Sequence, residues 1–245
     1  PYYFVRRILH RNGGNMIRLI LVLFAVVAFL ILSIPILIVE WLIGKKNPKL
    51  RDESSLHIVQ FMFRLIQWLA GTKVTVIGEE NVPKDIPVLY IGNHRSFFDI
   101  VITYARCPRL TGYVAKDSMK KVPLLSIWME RLYCLFLNRT DIKEGLKTIL
   151  TGIEQIKNGI SMCIFPEGTR NKGDDETKLL PFKEGITHQI TGCRQCRQSG
   201  TDDVCMLVVH VGRLLRTCES LIIAAAVVHI PPPWGRVDTS STLLE

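Results

Sequence analysis

The stretch that decides the fold runs from Leu132 to Phe165 and reads LYCLFLNRTDIKEGLKTILTGIEQIKNGISMCIF. Its two ends, Leu132–Leu137 and Ile160–Phe165, are short apolar runs that suit buried strands. Thr140 or Asp141 is a natural N-cap for a helix between them. The apolar residues of that helix keep helical spacing: Ile142, Leu146, Ile149, Leu150, Ile153 and Ile156. A strand, a helix and a strand at this spacing predict a parallel crossover unit.

Three further strands are predicted upstream of this unit. Lys73–Ile77 alternates between polar and apolar residues, while Ile86–Ile91 and Gly112–Ala115 are short apolar runs. Strands that alternate with helices indicate an α/β domain built on a parallel sheet.

The N-terminal part of the chain predicts a membrane anchor. Leu19–Val39 contains 21 residues without a charge, and a helix of that length is about 31 Å long, close to the thickness of a bilayer core. We assign the anchor to residues 16–44. Residues 45–71 are expected to form an amphipathic helix, either packed in the core or lying at the lipid interface with Phe61, Phe63 and Trp68.

The basic residues that flank the anchor bear on its orientation. Residues 1–15 are expected to be an upstream segment outside the working protein, because Met16 stands directly before the anchor. Without them the positive charges lie mainly after the anchor, at Lys45, Lys46, Lys49 and Arg51, which predicts the cytoplasmic face of the inner membrane. With Arg6, Arg7 and Arg11 included, this asymmetry disappears.

Composition narrows the choice of partner. The chain is 48% hydrophobic and carries a formal net charge of +9, which excludes a disordered or collagen-like protein and suits nucleic acid, an anionic membrane or a phosphorylated substrate. A membrane anchor and the lack of aromatic residues interleaved with a basic face argue against nucleic acid. Seven scattered cysteines favour reduced thiols over a disulfide scaffold.

Polar residues follow four of the predicted strands at the point where each strand ends. They are Asn93 and His94 after Ile86–Ile91, Lys116 after Gly112–Ala115, Arg139 after Leu132–Leu137, and Pro166–Arg170 after Ile160–Phe165. Parallel strands place their carboxyl ends at one edge of a sheet, and ligands of open α/β sheets bind there. The sequence therefore predicts a site at this edge.

The first polar group, NHRSFFD at residues 93–99, suggests a general base. If Ser96 is an N-cap, Asp99 stands at the third helical position and can reach His94. A carboxylate bonded to one imidazole nitrogen fixes the tautomer and leaves the other nitrogen free to accept a proton. From this segment alone, a structural histidine beside a capping-box aspartate is equally probable. A metal site is disfavoured, because no third ligand has a suitable spacing.

The remaining polar groups suggest an anion site. FPEGTR at residues 165–170 supplies a tight turn with backbone N–H groups and Arg170. Arg139 stands just before the N-terminus of a helix, where the dipole and the guanidinium would both favour a phosphate. Lys116 adds positive charge, although a solvated basic face is the commoner meaning of such a lysine.

These motifs in this order resemble the glycerolipid acyltransferases, and in particular the bacterial 1-acylglycerol-3-phosphate acyltransferases. The likeness rests on residues 93–99, 137–139 and 165–170 and covers about residues 16–185. It implies a mixed, largely parallel sheet flanked by helices, with the acyltransferase domain at residues 72–185. It also implies transfer of an acyl group from acyl-CoA or acyl carrier protein to lysophosphatidic acid at a membrane, with no metal ion or prosthetic group.

The resemblance also assigns roles to residues. His94 would be the base and Asp99 its orienting partner, and the substrate-binding residues would be Asn93, Lys116, Arg139, Glu167, Gly168, Thr169 and Arg170. Arg139 and Arg170 would hold the phosphate, and Glu167 is expected to help position the acceptor. Glycerol 3-phosphate or another lysophospholipid remains a possible acceptor, and a catalytically impaired protein that only binds anionic lipid remains a possible alternative.

The tail at residues 186–245 departs from the family pattern. It contains no Lys, Phe, Tyr or Asn, yet it holds four of the seven cysteines: Cys193, Cys196, Cys205 and Cys218. We expect this tail to be out of frame, a hypothesis that the coding DNA can test. Its spacing of Cys and His fits no zinc-finger pattern. Val204–Val211 and Leu221–Ile230 are apolar enough to replace the strands that the family normally has there.

Overall fold

The computed structural model of the protein describes residues 13–171, 180–181, 205–213 and 220–228. In chain order its helices and strands are α1 Gly13–Lys46, α2 Pro48–Leu69, β1 Lys73–Ile77, β2 Val88–Gly92, α3 Phe98–Tyr104, β3 Thr111–Lys116, α4 Leu125–Arg131, β4 Leu135–Leu137, α5 Ile142–Lys157, β5 Ser161–Ile164, β6 Cys205–Arg213 and β7 Ser220–Val228. Two short 3₁₀ helices occupy Glu79–Asn81 and Asp117–Lys121.

The strands form one sheet in the order β1-β7-β6-β2-β5-β3-β4. The pairs β1–β7, β6–β2, β2–β5, β5–β3 and β3–β4 are parallel, and β6–β7 is antiparallel. The prediction of a mixed, largely parallel sheet is therefore confirmed. The crossover from β4 through α5 to β5 passes over β3, which lies between the two strands that it joins.

Helices cover both faces of this sheet, and the alternation of side chains along β2 shows how. Val88 and Tyr90 point to one face and belong to a buried cluster with side chains from the first four helices, among them Leu37, Leu56, Ile102 and Trp128. Leu89 and Ile91 point to the other face, where they cluster with Ile156 of α5. The core therefore has two layers, one on each side of the sheet.

The crossover unit predicted for residues 132–165 is present with one change. The Asp141 side chain caps α5 by accepting from the backbone N–H groups of Lys143 and Glu144, at 2.8 and 3.1 Å. The predicted strand from Leu132 is shorter, because α4 extends to Arg131 and the chain then turns at Tyr133, whose φ is +60°. Helix α4 was not predicted, since seven residues show too little periodicity.

The predicted anchor lies within helix α1. By length and composition, Met16–Lys46 could cross a membrane, with a mean hydropathy of 3.2 over an 18-residue stretch of the helix. One side of α1 packs on the sheet domain: Trp128 donates its indole N–H to the Ser33 hydroxyl at 3.0 Å, and Arg131 donates to the Leu37 carbonyl at 3.1 Å. The rest of the helix is largely exposed and apolar, which leaves it available to lipid.

Helix α2 runs antiparallel to α1, because Arg18 near the start of α1 lies against Gly71, just past the end of α2. The sequence left open whether this helix is interfacial or part of the core, and the structure shows features of both. Phe63 packs edge-on against Tyr104 with ring centroids 5.8 Å apart. Trp68 is 77% exposed on the opposite side of the helix.

Candidate active site

The carboxyl ends of β2, β5, β3 and β4 meet at one edge of the sheet, since these four strands are adjacent and parallel. This edge carries the four polar groups that the sequence predicted. Neighbouring strands lie about 4.8 Å apart, so the strand that precedes Arg139 is about 14 Å from the strand that precedes His94. Direct contacts occur between the groups that follow β2 and β5.

His94 and Asp99 are in contact, with 3.0 Å between His94 Nδ1 and Asp99 Oδ2. The Asp99 residue is only 2% exposed, and the same Oδ2 atom accepts from the backbone N–H groups of Arg95 and Ser96, at 2.6 and 2.7 Å. The contact with Nδ1 is to the same oxygen that accepts from two backbone N–H groups. In a neutral imidazole that donates to Asp99 from Nδ1, Nε2 would carry the lone pair.

The helix that carries Asp99 begins later than predicted. Its N-cap is Phe97, not Ser96, and Asp99 stands at the second helical position rather than the third. The capping bonds are nevertheless those of a cap at Ser96, because the Ser96 hydroxyl accepts from the Phe98 N–H at 2.8 Å. Asp99 Oδ2 accepts from the N–H groups of Arg95 and Ser96, two successive residues that precede the helix.

The segment after β5 packs against His94. The Phe165 ring stacks on the imidazole, with centroids 4.3 Å apart and planes 14° apart. Glu167 accepts from the backbone N–H of His94 at 2.9 Å, and the N–H of Asn171 donates to the His94 carbonyl at 2.7 Å. Asn93, which the sequence assigned to substrate binding, is buried directly before His94.

The three cationic residues that the sequence assigned to substrate binding lie along the carboxyl edge of the sheet. The Arg170 guanidinium lies over the exposed ring of Phe97, 4.1 Å from its centroid. Gly168 has φ +61°, which forms the tight turn that the sequence predicted, and Thr169 in the same turn is exposed. Lys116 and Arg139 are exposed, Lys116 at the end of β3 and Arg139 just after β4.

The surroundings of Arg139 differ from the expectation in one respect. The sequence predicted that the N-terminus of α5 would join Arg139 in binding an anion. The Asp141 carboxylate already accepts from two N–H groups of that first turn. The positive end of the α5 dipole is therefore neutralised locally by Asp141. An anion near the start of α5 would depend on the guanidinium of Arg139 and on Lys116 at the end of the neighbouring strand β3.

Buried hydrogen bonds join α3, which carries Asp99, to strand β3. Tyr113 on β3 shares a 2.8 Å hydrogen bond with the Thr103 hydroxyl, and Thr103 donates to the Asp99 carbonyl at 2.6 Å. Burial raises the pKa of Tyr113 well above its usual value, so its phenol stays neutral. Burial also raises the pKa values of Cys107 and Cys134 to about 11, which makes these thiols poor nucleophiles at neutral pH.

Sequence reasoning missed several contacts of the site. Phe165 stacks on His94 and Arg170 lies over Phe97; the sequence placed these two motifs at the same edge of the sheet, but not these individual contacts. The Asn171 contact is made by a backbone N–H, which carries no signal in the sequence. Within the described residues, no group of three or more His, Cys, Asp or Glu side chains could hold a metal ion.

The chain is similar to known proteins in sequence and in fold. The chain is 36% identical over 134 residues to the 1-acyl-sn-glycerol-3-phosphate acyltransferase of Borreliella burgdorferi, covering 54% of this chain and 51% of that protein. It is 34% identical over 146 residues to the protein of the same name from Haemophilus influenzae, with 57% and 58% covered. The chain thus spans about half the length of the curated relatives that it matches.

A solved structure shares the fold. The crystal structure of the 1-acyl-sn-glycerophosphate (LPA) acyltransferase PlsC from Thermotoga maritima superposes with a TM-score of 0.67 and 20% sequence identity, covering 87% of this chain and 85% of that one. The Acyltransferase family profile matches residues 73–209, more than half of the chain, and this match includes the segments of His94, Arg139 and Glu167. The chain belongs to the acyltransferase family.

Proposed function

We propose that this protein transfers a fatty acyl group from an acyl thioester to the free hydroxyl of 1-acylglycerol 3-phosphate, which yields phosphatidic acid. The relatives that bear this name support the choice of acceptor. The observation that carries the proposal is the 3.0 Å contact of His94 with the buried carboxylate of Asp99 at the carboxyl edge of the sheet. The donor is acyl-CoA or acyl carrier protein.

The proposed reaction uses His94 as the general base. Nε2 accepts the proton of the acceptor hydroxyl while the hydroxyl oxygen attacks the thioester carbonyl, and Asp99 stabilises the imidazolium that forms. The new C–O bond forms, the tetrahedral intermediate collapses, and the C–S bond breaks. The proton then passes from His94 to the leaving thiolate, so that the products are the ester and the free thiol and the base is regenerated.

The phosphate of the acceptor would be held by the cations of the same edge. Arg170 is the nearest in sequence to the turn that contacts His94, and its guanidinium is held over Phe97. Arg139 and Lys116 stand at the ends of two adjacent paired strands, with Lys116 opposite Leu137 in the register. A guanidinium suits a phosphate because it can donate two parallel hydrogen bonds.

The acceptor and product are membrane lipids, and the apolar helix α1 is consistent with association of the protein with a membrane. We propose that the domain faces the cytoplasm, because Lys45 and Lys46 end α1 on the side that leads into the catalytic domain. The contacts of Trp128 and Arg131 with α1 would keep the catalytic domain close to the lipid surface.

The test is thiol release from acyl-CoA by membranes that contain the full chain, with and without lysophosphatidic acid. We expect release that depends on the acceptor, and a loss of roughly a hundredfold to ten-thousandfold in His94→Ala, because a positioned base contributes about that much. Acyl carrier protein as donor, and glycerol 3-phosphate or another lysophospholipid as acceptor, define the substrate pair in parallel reactions.

Two results would contradict the proposal. Near-full activity of His94→Ala would show that His94 is not the general base. Binding of anionic lipid without turnover of any donor or acceptor would instead favour a lipid-binding protein that lacks catalytic activity.

A further inference from the structure

Glu167 and His94 leave the sheet side by side. Strands β2 and β5 are paired in parallel with Ile91 opposite Ile164, and each of the two residues stands three positions beyond this pair. The register therefore places the Glu167 side chain next to the main chain of His94. The result is the 2.9 Å hydrogen bond from the His94 N–H to Oε1 of Glu167.

Both oxygens of the Glu167 carboxylate accept from main-chain N–H groups. Its second oxygen, Oε2, accepts from the backbone N–H of Leu180 at 3.2 Å. The residue is only 1% exposed, so the carboxylate is enclosed by protein and turned away from solvent. A buried carboxylate is stable only where hydrogen bonds replace its hydration, and both oxygens have such a partner here. A group in this position acts on the protein rather than on a ligand.

The main chain of His94 is held from both sides by the segment that contains Glu167. Glu167 binds the N–H of His94, the N–H of Asn171 binds its carbonyl, and the ring of Phe165 stacks on the imidazole. Asp99 fixes the rotation of the imidazole through Nδ1. Loss of the Glu167 carboxylate would leave the N–H of His94 without this acceptor and would free one side of the backbone.

We propose that Glu167 is a positioning residue, which holds the main chain of His94 so that Nε2 points at the acceptor hydroxyl. This inference rests on the proposed function, and it differs from the expectation that Glu167 contacts the acceptor. A residue that positions the base affects the rate of the chemical step. A residue that binds the acceptor affects KM. The two roles are therefore separable by kinetics.

The experiment compares Glu167→Ala and Glu167→Gln in the full chain, with Glu154→Gln as the matched control on the exposed face of α5. We expect Glu167→Ala to lower kcat about tenfold to a hundredfold, the range for a lost hydrogen bond to a charged group. The KM for lysophosphatidic acid should stay within about twofold of the wild type, since binding is not touched. Glu167→Gln keeps one acceptor oxygen and should retain an intermediate kcat.

A spectroscopic readout makes the test independent of turnover. In protein labelled with ¹⁵N-histidine, His94→Ala identifies the signals of His94 among the six histidines. A hydrogen-bonded Nδ1–H gives a low-field proton resonance, and we expect this resonance to broaden or vanish in Glu167→Ala and to persist in Glu167→Gln and in the control. Melting temperatures show whether each variant is folded.

The outcomes are distinct. A KM that rises while kcat stays near the wild-type value would overturn the inference and assign Glu167 to acceptor binding. An unchanged resonance with kcat within twofold of the wild type would also overturn it. If the wild type released no thiol, the proposed function would fall, and the resonance of His94 would still decide whether Glu167 positions the imidazole.

Discussion

Replacing Asp99 with asparagine distinguishes two roles of this carboxylate. It could orient His94 as the base, or it could only cap the start of α3 by accepting from backbone N–H groups. The substitution keeps the shape of the side chain and an acceptor oxygen for the N–H groups of Arg95 and Ser96, which lie 2.6 and 2.7 Å from Oδ2. With its oxygen in the place of Oδ2, the asparagine amide is neutral, so it cannot stabilise the imidazolium of His94.

The size of the effect follows from these contacts. Three hydrogen bonds to Oδ2 lose their charge assistance, at about 1 kcal/mol each at most, which gives a loss of about 1–3 kcal/mol in the free energy of unfolding. For a chain of this size each 1 kcal/mol lowers Tm by roughly 2–4 °C. If Asp99 orients the base, kcat should fall by roughly a hundredfold to ten-thousandfold. If Asp99 is only a cap, kcat should hardly change.

Asp141→Asn is the matched control, because the Asp141 side chain also accepts from two N–H groups at the start of a helix and touches no histidine among the described residues. Thiol release with acyl-CoA and lysophosphatidic acid gives kcat, and thermal unfolding in detergent gives Tm. We expect both variants to remain folded and only Asp99→Asn to lose its activity. Equal kcat values in the two variants would show that Asp99 is a cap and that the His94 contact is structural.

Two further predictions concern the surroundings of the site. Phe97→Leu removes the ring that lies 4.1 Å from the Arg170 guanidinium. Loss of a cation–π contact worth about 0.5–1 kcal/mol should raise the KM for lysophosphatidic acid about two- to fivefold and leave kcat unchanged. An unchanged KM would indicate that Arg170 does not bind the acceptor. Burial raises the pKa of Cys107 and Cys134 from 9.0 to about 11, so the free energy of unfolding should fall as the pH rises from 9 through about 11. Iodoacetamide at pH 8, followed by mass spectrometry, should label both thiols more than about a hundredfold faster after unfolding, and rapid labelling of the folded protein would contradict their burial.

The parts of the fold that the sequence predicted are those set by local chemistry. β1 has its predicted bounds, and Asp141 caps α5, because alternation, helical spacing and a capping carboxylate are properties of neighbouring residues. The contact of His94 with Asp99 belongs to the same class, since five positions across a helix start bring the two side chains together. Helix α4 was missed, because its seven residues have no side-chain cap and make fewer than two full turns.

The parts that could not be predicted depend on pairing between distant segments. The order of strands in the sheet does not follow from the pattern of each strand, and the contacts of Glu167 and Asn171 with His94 follow from the pairing of β2 with β5. In each of these contacts, at least one of the two partners is a backbone group. Because nearly every residue has the same backbone groups, the sequence does not indicate which of them makes such a contact.

The position of β6 bears on the unusual composition of the tail. Strand β2 leads directly to His94, and it lies between β5 and β6, with Val88 to Gly92 opposite Cys205 to Val209. Without β6, β2 would be an edge strand with unpaired N–H and C=O groups next to the site. Pairing of this kind uses backbone groups and needs extended, apolar segments rather than particular residues. The sheet therefore needs only an extended, apolar strand beside β2. A segment whose composition differs from that of the rest of the chain can provide such a strand.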